Sequence, residues 1–320
     1  MKKFSLRICA FLLLLCLLPQ TALAASSLIP VGRVIGLELK NDTVTIAGFE
    51  SNSCAKTSDL KEGDCLLEID GTPIHCAADV KKALCQTKGS ATLTVRRKNE
   101  TLQIRLSPTI TSDGPKLGIY FKEGVTGIGT VTWYDPKNQS FAALGHGVNT
   151  PTGQLLTLTQ GNTYSAQIIS VRKGKVGAPG QLMGALTGSN PIGSLHKNTP
   201  QGVFGTTQTI YSGTALPVAE PSEVKIGNAK IMSNISGQNV QEYSVEILKI
   251  YPETRSCDRN MLIRVTDPQL LETTGGIVQG MSGSPIIQDG KLIGAVTHVL
   301  VNDPTTGYGI FIENMLNAAA

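Results

Sequence analysis

The sequence predicts a mainly β protein in which a small α+β module precedes an antiparallel sandwich or barrel. Three observations support this prediction. The 320-residue chain holds 34 glycines and one tryptophan, a balance that favours turn-rich β structure. Short β-prone runs recur with turn signals between them, as at Gly227-Asn228, which separates residues 224–226 from residues 229–232. A helical period is clear in one segment, residues 77–84.

The first 24 residues predict a secretory signal. Three basic residues precede an apolar run at residues 8–18, and small residues follow up to Ala24. The apolar run is shorter than the roughly 20 residues that a membrane-spanning helix needs. We therefore expect export with cleavage after Ala24, and the alternative is that the segment is kept as a membrane anchor.

Composition argues against several classes of partner. The net charge of +4 is small, and no basic stripe with interleaved aromatic residues is present, so nucleic acid is not an expected partner. The four histidines are scattered and neither a CxxC nor an HExxH motif occurs, so we expect no metal site and no cofactor. The pattern leaves open whether the exported cysteines form disulfides or remain free thiols, and four of them are close in sequence: Cys54, Cys65, Cys76 and Cys85.

The chain length suggests about two domains after the signal. Short strands around one helix make residues 28–107 a small α+β module. Residues 108–116 are rich in Pro, Ser and Thr without an apolar period, which predicts a linker. Strands and turns fill residues 117–320, which predicts a β-rich second domain.

The segment DLKEGDCLLEIDGTPIHCAADVKKAL, residues 59–84, resembles the core of bacterial PDZ domains. The resemblance implies that a peptide adds as a strand to the sheet edge, and that a hydrophobic-Gly-hydrophobic loop binds its C-terminal carboxylate. Ile35-Gly36-Leu37 is the candidate for that loop. The alternative is that these residues only begin a strand.

A glycine-lined bend carries the candidate nucleophile, Ser282. Residues 280–285, GMSGSP, predict a tight turn, and Asp289-Gly290 predicts a hairpin between two β-prone runs. Such a loop holds a hydroxyl in place and leaves backbone N–H groups free to bind a substrate carbonyl, as acyl transfer requires. The alternative is an ordinary Gly-Ser turn.

A serine nucleophile needs a base, and histidine is the natural one. His146 follows a predicted strand and lies between two glycines, so its ring would project from a bend. His298 ends a strand that leads out of the serine hairpin and competes for the same role. His196 lies in a polar segment and is expected to be solvated.

Two segments resemble those of chymotrypsin-like serine peptidases: GMSGSPIIQDGKLIGAV resembles the nucleophile loop with its following strands, and FAALGHGV resembles the histidine segment. With the PDZ-like module, the chain closely resembles the stage IV sporulation protein B family, the S55 serine peptidases. The resemblance implies an antiparallel double β-barrel after the PDZ-like domain. It also implies that Ser282 is the nucleophile, His146 the general base and Asp267 the orienting acid.

Further assignments follow from the resemblance. The N–H groups of Gly280 and Ser282 would form the oxyanion hole, and Ser284 is the rival nucleophile. Asp267 lies only 15 residues before Ser282, and the alternative is a turn aspartate ahead of Pro268. Three other aspartates stand in turn contexts and are interpreted as structural: Asp135, Asp289 and Asp303.

The family resemblance implies an exported serine endopeptidase that cleaves itself and a membrane-bound regulator of sigma-factor processing, between the two membranes of the forespore. The PDZ-like domain would bind peptide C-termini. The competing hypothesis is a catalytically inactive PDZ-containing scaffold in the extracytoplasmic space.

Overall fold

The computed structural model describes residues 27–150, 153–251 and 259–320, so the predicted signal at residues 1–24 lies outside the described residues. Most of the described chain is β structure. Its strands are β1 (Ser27–Pro30), β2 (Val34–Phe49), β3 (Cys65–Ile69), β4 (Thr72–Pro73), β5 (Ala91–Arg97), β6 (Glu100–Leu106), β7 (Thr109–Thr111), β8 (Gly114–Lys116), β9 (Ile119–Asp135), β10 (Ser140–Ala143), β11 (Gln160–Arg172), β12 (Gln181–Leu186), β13 (Gly193–Thr199), β14 (Gly202–Thr207), β15 (Leu216–Pro217), β16 (Gly227–Ser233), β17 (Gln241–Ile250), β18 (Met261–Val265), β19 (Pro285–Gln288), β20 (Lys291–Leu300) and β21 (Asp303–Phe311).

Helices are few and short. They are α1 (Ala77–Gln86), α2 (Pro268–Thr274), α3 (Ile312–Ala319) and a 3-10 turn (Pro221–Glu223). The predicted helix at residues 77–84 is confirmed as α1, which buries Val80, Ala83 and Leu84 against the module core. Within the described ranges no helix is long and apolar enough to span a bilayer.

The first barrel is a ring of six antiparallel strands in the order β9-β10-β14-β13-β11-β2, which the pairing of β2 with β9 closes. Alternating side chains fill its interior because successive residues of a strand point to opposite faces. Ile35, Leu39, Phe141 and Leu156 belong to this core, and each is at most 2% exposed.

The second barrel is also closed, in the order β16-β17-β18-β21-β20-β19. Its core contains fully buried aliphatic residues from facing strands, among them Ile231, Ile263 and Val296. Strands β19 and β20 are the predicted hairpin, which turns at Asp289-Gly290. The predicted fold, a PDZ-like domain followed by an antiparallel double β-barrel, is confirmed.

The structure draws the domain division differently from the predicted boundary at residues 108–116. Strands β2 and β9 each belong to both units. The first half of β2 and the last half of β9 pair within the barrel, and the other half of each strand completes the PDZ-like module. Residues 119–123 thus belong to the module, whereas residues 27–39 lie in the barrel sheet. The predicted linker contains the β7–β8 hairpin.

The structure corrects the placement of Ile35-Gly36-Leu37. These residues lie within β2, where their backbone pairs with residues 127–129 of β9 on one edge and residues 163–165 of β11 on the other. A loop that binds a carboxylate must keep its N–H groups free, and a strand paired on both edges does not. The predicted PDZ loop is therefore wrong, and the alternative, that these residues belong to a strand, holds.

Candidate active site

The Ser282 loop connects α2 to β19 and is shaped by backbone hydrogen bonds. The N–H of Ser284 donates to the carbonyl of Met281 at 2.9 Å, and the N–H of Gly283 donates to Val296 at 2.8 Å. Gly283 has φ +95°, and a Cβ there would lie 2.1 Å from the Thr130 carbonyl oxygen. Only glycine fits, so the sequence GMSGSP gives this bend one conformation.

Thr130 of β9 ties the Ser282 loop to the first barrel. Its N–H donates to the carbonyl of Ser282 at 3.1 Å, and its Oγ1 donates to the carbonyl of Gly280 at 2.7 Å. Thr130 is fully buried, whereas Gly280 and Ser282 are half-buried at the cavity wall. The nucleophile loop of the second barrel is therefore positioned by a side chain and a backbone group of the first.

His146 follows β10 on a bend in which Leu144 and Gly145 both have positive φ. Its Nδ1 lies 3.0 Å from the carbonyl oxygen of Gly147. Because a carbonyl oxygen only accepts, Nδ1 carries the hydrogen in this arrangement and Nε2 carries the lone pair. The ring is thus held in the tautomer that a general base needs.

One amide side chain supports the histidine loop, alongside the backbone bond from the N–H of Leu156 to the carbonyl of Val148. Asn198 of β13 donates from Nδ2 to the carbonyls of Val148 and Leu156, each at 2.8 Å, and its Oδ1 accepts from the N–H of Val148 at 2.9 Å. These three bonds fix the segment that follows His146.

Ser282, His146 and His298 line one cavity of about 590 Å³ between the barrels. The ring centroids of the two histidines are 5.1 Å apart with the planes tilted by 40°. The Ser282 hydroxyl donates to the carbonyl of Thr297 at 2.7 Å. The structure therefore brings the predicted nucleophile and base into one cleft, with the competing His298 beside the base.

The backbone N–H groups of Gly280 and Ser282 are free to bind substrate, since no hydrogen bond among the described residues uses either of them as donor. Gly280 also lines the cavity. Two unused N–H groups beside a serine hydroxyl are the arrangement that stabilises an oxyanion.

Asp267 is not brought to His146, which corrects the role implied by the resemblance. Its Oδ1 accepts from the N–H groups of Gln269 and Leu270 at 3.0 and 3.1 Å, and its Oδ2 accepts from Ser244 at 3.3 Å. Asp267 therefore caps α2, with Pro268 as the first helical residue. The geometry observed is the alternative, a structural aspartate ahead of a proline.

No Asp or Glu is among the residues that line the cavity within the described part of the chain. The acid nearest in sequence to its wall is Glu38, between the lining residues Leu37 and Leu39. Its carboxylate accepts from Asn162 and Tyr164 instead, and the hydrogen bond from Asn162 is the main cause that lowers the pKa of Glu38. The group that holds His146 is thus the Gly147 carbonyl.

The other candidates occupy structural positions. Ser284 is fully buried and does not line the cavity, which leaves Ser282 as the accessible hydroxyl of the loop. His196 is exposed on β13, with its Nε2 2.9 Å from the Thr206 hydroxyl. Of the turn aspartates, Asp135 and Asp303 accept hydrogen bonds from residues two or three further along the chain, and Asp289 has φ +50° in the β19–β20 turn.

The chain matches two protein-family models. Residues 113–316 match the family model described as SpoIVB peptidase S55, and residues 34–107 match a PDZ domain model. The first match spans more than half of the chain. The chain belongs to the SpoIVB peptidase S55 family. The predicted family resemblance is confirmed.

Individual relatives are distant. A curated protein named putative zinc metalloprotease Atu1380, from Agrobacterium fabrum (strain C58), is 34% identical over 86 residues, which are 27% of this chain and 23% of that protein. The chain thus spans about a quarter of that relative. The Rv3671c protease of M. tuberculosis in its active form gives a TM-score of 0.37 at 16% identity, over 60% of this chain and 72% of that chain. Its inactive form gives 0.34 at 16% identity, over 60% and 82%.

A second cavity, of about 550 Å³, lies in the PDZ domain of this S55 peptidase, between α1 and the start of β9. We call it the PDZ groove. Leu117-Gly118-Ile119 borders it, directly before β9 leaves the module. Gly118 has φ +68°, and a Cβ there would lie 2.3 Å from the Cβ of Ser53, so the position requires glycine.

Leu117-Gly118-Ile119 has the hydrophobic-Gly-hydrophobic pattern expected of a PDZ carboxylate-binding loop and borders a groove, and the prediction at residues 35–37 did not consider it. The N–H of Gly118 donates to no group of the described residues. A sequence signal existed, because the same three-residue pattern opens the run after the Pro- and Ser-rich segment. The pattern recurs elsewhere in the chain, for example at Ile293-Gly294-Ala295, so the three residues alone do not identify the loop.

Proposed function

We propose that this S55 peptidase is an exported serine endopeptidase in which Ser282 is the nucleophile and His146 the general base. The observation that carries the proposal is that the two side chains line one cavity with the free N–H groups of Gly280 and Ser282 beside them. The family membership points to the same reaction, the hydrolysis of peptide bonds.

Acylation begins when Ser282 Oγ attacks the scissile carbonyl and its proton passes to Nε2 of His146. The hydroxyl starts from its bond to the Thr297 carbonyl, so rotation about χ1 must turn it toward the imidazole. The negative charge that develops on the carbonyl oxygen is stabilised by the N–H groups of Gly280 and Ser282, each worth about 10² to 10³ in kcat.

Collapse of the tetrahedral intermediate breaks the peptide bond as His146 returns the proton to the leaving amine. Water, deprotonated by the same ring, then hydrolyses the acyl-enzyme. The imidazolium formed in each step keeps its Nδ1–H on the Gly147 carbonyl, and His298 contributes a second ring to the wall of the cleft.

Protein substrates and peptide binding are supported by the union of a peptidase with a PDZ domain. The finer assignment rests on the family resemblance and on the N-terminal sequence. We propose cleavage of the chain itself and of a membrane-bound regulator of sigma-factor processing, in the space between the two forespore membranes. The proposal of export is supported by the basic, apolar and small-residue parts of residues 1–24.

Labelling of the full chain with a fluorophosphonate tests the catalytic proposal against the inactive scaffold. We expect one labelled serine, with labelling lost in Ser282→Ala and His146→Ala. Ser284→Ala is the matched control, because it removes a buried hydroxyl that has no hydrogen-bond partner among the described residues. A folded protein that no condition labels, or one labelled at Ser284, would reject the proposal.

A further inference from the structure

One strand connects the two cavities. Ile119 and Phe121 near the start of β9 line the PDZ groove, whereas Val125, Gly127 and Ile128 line the active-site cavity. The run ends at Thr130, whose N–H and Oγ1 hold the Ser282 loop. The peptide-binding groove and the nucleophile thus lie at the two ends of the first half of β9.

One edge of this half-strand is open. Strand β2 pairs with β9 along one edge, from Ile119 to Thr130. The opposite edge pairs with β10, but only from Val131 to Asp135. Within the described ranges, no strand pairs with that edge between residues 119 and 129. The unpaired N–H and C=O groups form a template on which an extended peptide adds as a strand.

We infer that a single substrate chain occupies both sites, with its C-terminal tail bound in the PDZ groove and along β9 while its scissile bond lies at Ser282. The inference rests on the proposed function. A peptide whose carboxylate binds at Leu117-Gly118-Ile119, at the start of β9, runs antiparallel to that strand. Its upstream residues therefore extend toward Thr130 and the active site. The substrate class is an unstructured polypeptide with a free C-terminus.

The lining of the PDZ groove suits the end of such a chain. Its apolar part accommodates an apolar terminal side chain and consists of Val80, Leu84, Leu117, Ile119 and Phe121. Its charges balance, since Lys81 and Lys116 occur with Glu50 and Asp113. Recognition of the carboxylate is thus left to backbone groups, of which the unused N–H of Gly118 is one.

The length of the open edge sets the distance from the C-terminus to the cut. Ten steps from Ile119 to Gly129, at about 3.3 Å each, span about 33 Å. A tail paired residue by residue therefore places the scissile bond about ten residues before the C-terminus. Gly124, with φ +77°, interrupts the register of β9 with β2 and widens that window to roughly 9–12 residues.

The test uses the full chain and peptides that share one cleavable sequence, taken from an unfolded protein that the enzyme has digested. Polar tails of about 4, 7, 10, 13 and 16 residues follow the cut and end in Leu, as free acid or as amide. We expect kcat/KM to peak near ten residues and to fall about tenfold or more at both extremes, because a tail that does not span the sites gains no effective concentration. Amidation should remove the peak.

A charge variant ties the effect to the PDZ groove. Lys81→Glu makes the net charge of the groove lining negative. The rate for the free-acid peptide divided by the rate for the amide, at the best tail length, should then fall about 3- to 10-fold. Lys88→Glu makes the same charge change on an exposed residue outside the groove, beyond the end of α1, and should keep the wild-type ratio. Because both rates come from one sample, the ratio does not depend on the active fraction.

Each outcome is decisive. Efficient cleavage that ignores tail length or amidation, or a ratio that Lys81→Glu leaves unchanged, overturns the inference and leaves the peptidase assignment intact. A wild-type enzyme that cleaves no peptide or protein overturns the proposed function, and the inference with it.

Discussion

The loops that carry Ser282 and His146 are built in different ways. Backbone hydrogen bonds of its own barrel shape the Ser282 loop, and Thr130 adds two bonds from the other barrel. In the segment after His146 one side chain, Asn198, makes three hydrogen bonds, and the N–H of Leu156 adds a backbone bond to the Val148 carbonyl. We expect the nucleophile loop to tolerate the loss of one side-chain contact better than the segment after His146, which takes three of its hydrogen bonds from one amide. Substitutions in the two loops test this difference.

The base itself should give the largest effect. His146→Ala removes the only proton acceptor whose tautomer is set by the Gly147 carbonyl, and we expect kcat to fall by about 10⁴ or more. His298→Ala removes a ring that shares the cavity but to which the family resemblance assigns no base role, and we expect a measurable rate to remain. Steady-state kinetics on one peptide substrate measures both. Equal and complete loss in the two variants would assign the base role to both rings.

Asn198→Ala should come next. It deletes three hydrogen bonds at once and leaves the carbonyl of the buried Leu156 without its donor, so the histidine loop loses much of its support. We expect kcat/KM to fall about 10² because a misplaced base is costly. Asn198→Asp serves as control: it keeps the acceptor for Val148 but no donor, and should recover little.

Thr130→Val tests the better-braced loop. It keeps the shape and the N–H bond to Ser282 and removes only the Oγ1 bond to Gly280. We expect a loss of about tenfold or less in kcat, with the free energy of unfolding lowered by roughly 0.5–1.5 kcal/mol because the half-buried Gly280 carbonyl loses its donor. Thermal unfolding and kinetics separate the two effects. A loss in rate larger than that of Asn198→Ala would reverse the comparison between the loops.

The same contrast explains what the sequence could predict. The Ser282 loop is local: its glycines and its hairpin turn are neighbours in the chain, so residues 280–290 carry most of the information that shapes it. Helix α1 is local in the same sense. His146 could be found from its glycine-flanked bend, but Asn198, which fixes it, lies about fifty residues further on and carries no motif.

The two errors have one origin, a short pattern that suits two structures. Ile35-Gly36-Leu37 and Leu117-Gly118-Ile119 share the hydrophobic-Gly-hydrophobic pattern. The first copy pairs along both edges and the second borders a groove, a difference created by strands far apart in the chain. An Asp-Pro pair is similarly ambiguous, because an aspartate ahead of a proline suits a helix cap as well as an active-site acid.

Asp267→Asn distinguishes those two roles and should give the smallest effect. An orienting acid would make the substitution cost about 10⁴ in kcat. A helix cap predicts nearly no change, since asparagine accepts the same bonds from the N–H groups of Gln269 and Leu270 as aspartate does. We therefore expect a rate within about threefold of the wild type, and Asp267→Ala to lower the free energy of unfolding by roughly 0.5–2 kcal/mol. The contradicting result would be a loss of activity in Asp267→Asn while amide hydrogen exchange shows that α2 remains folded. Asp267 would then have to approach His146 in a different conformation, and the Gly147 carbonyl would no longer be the group that orients the base.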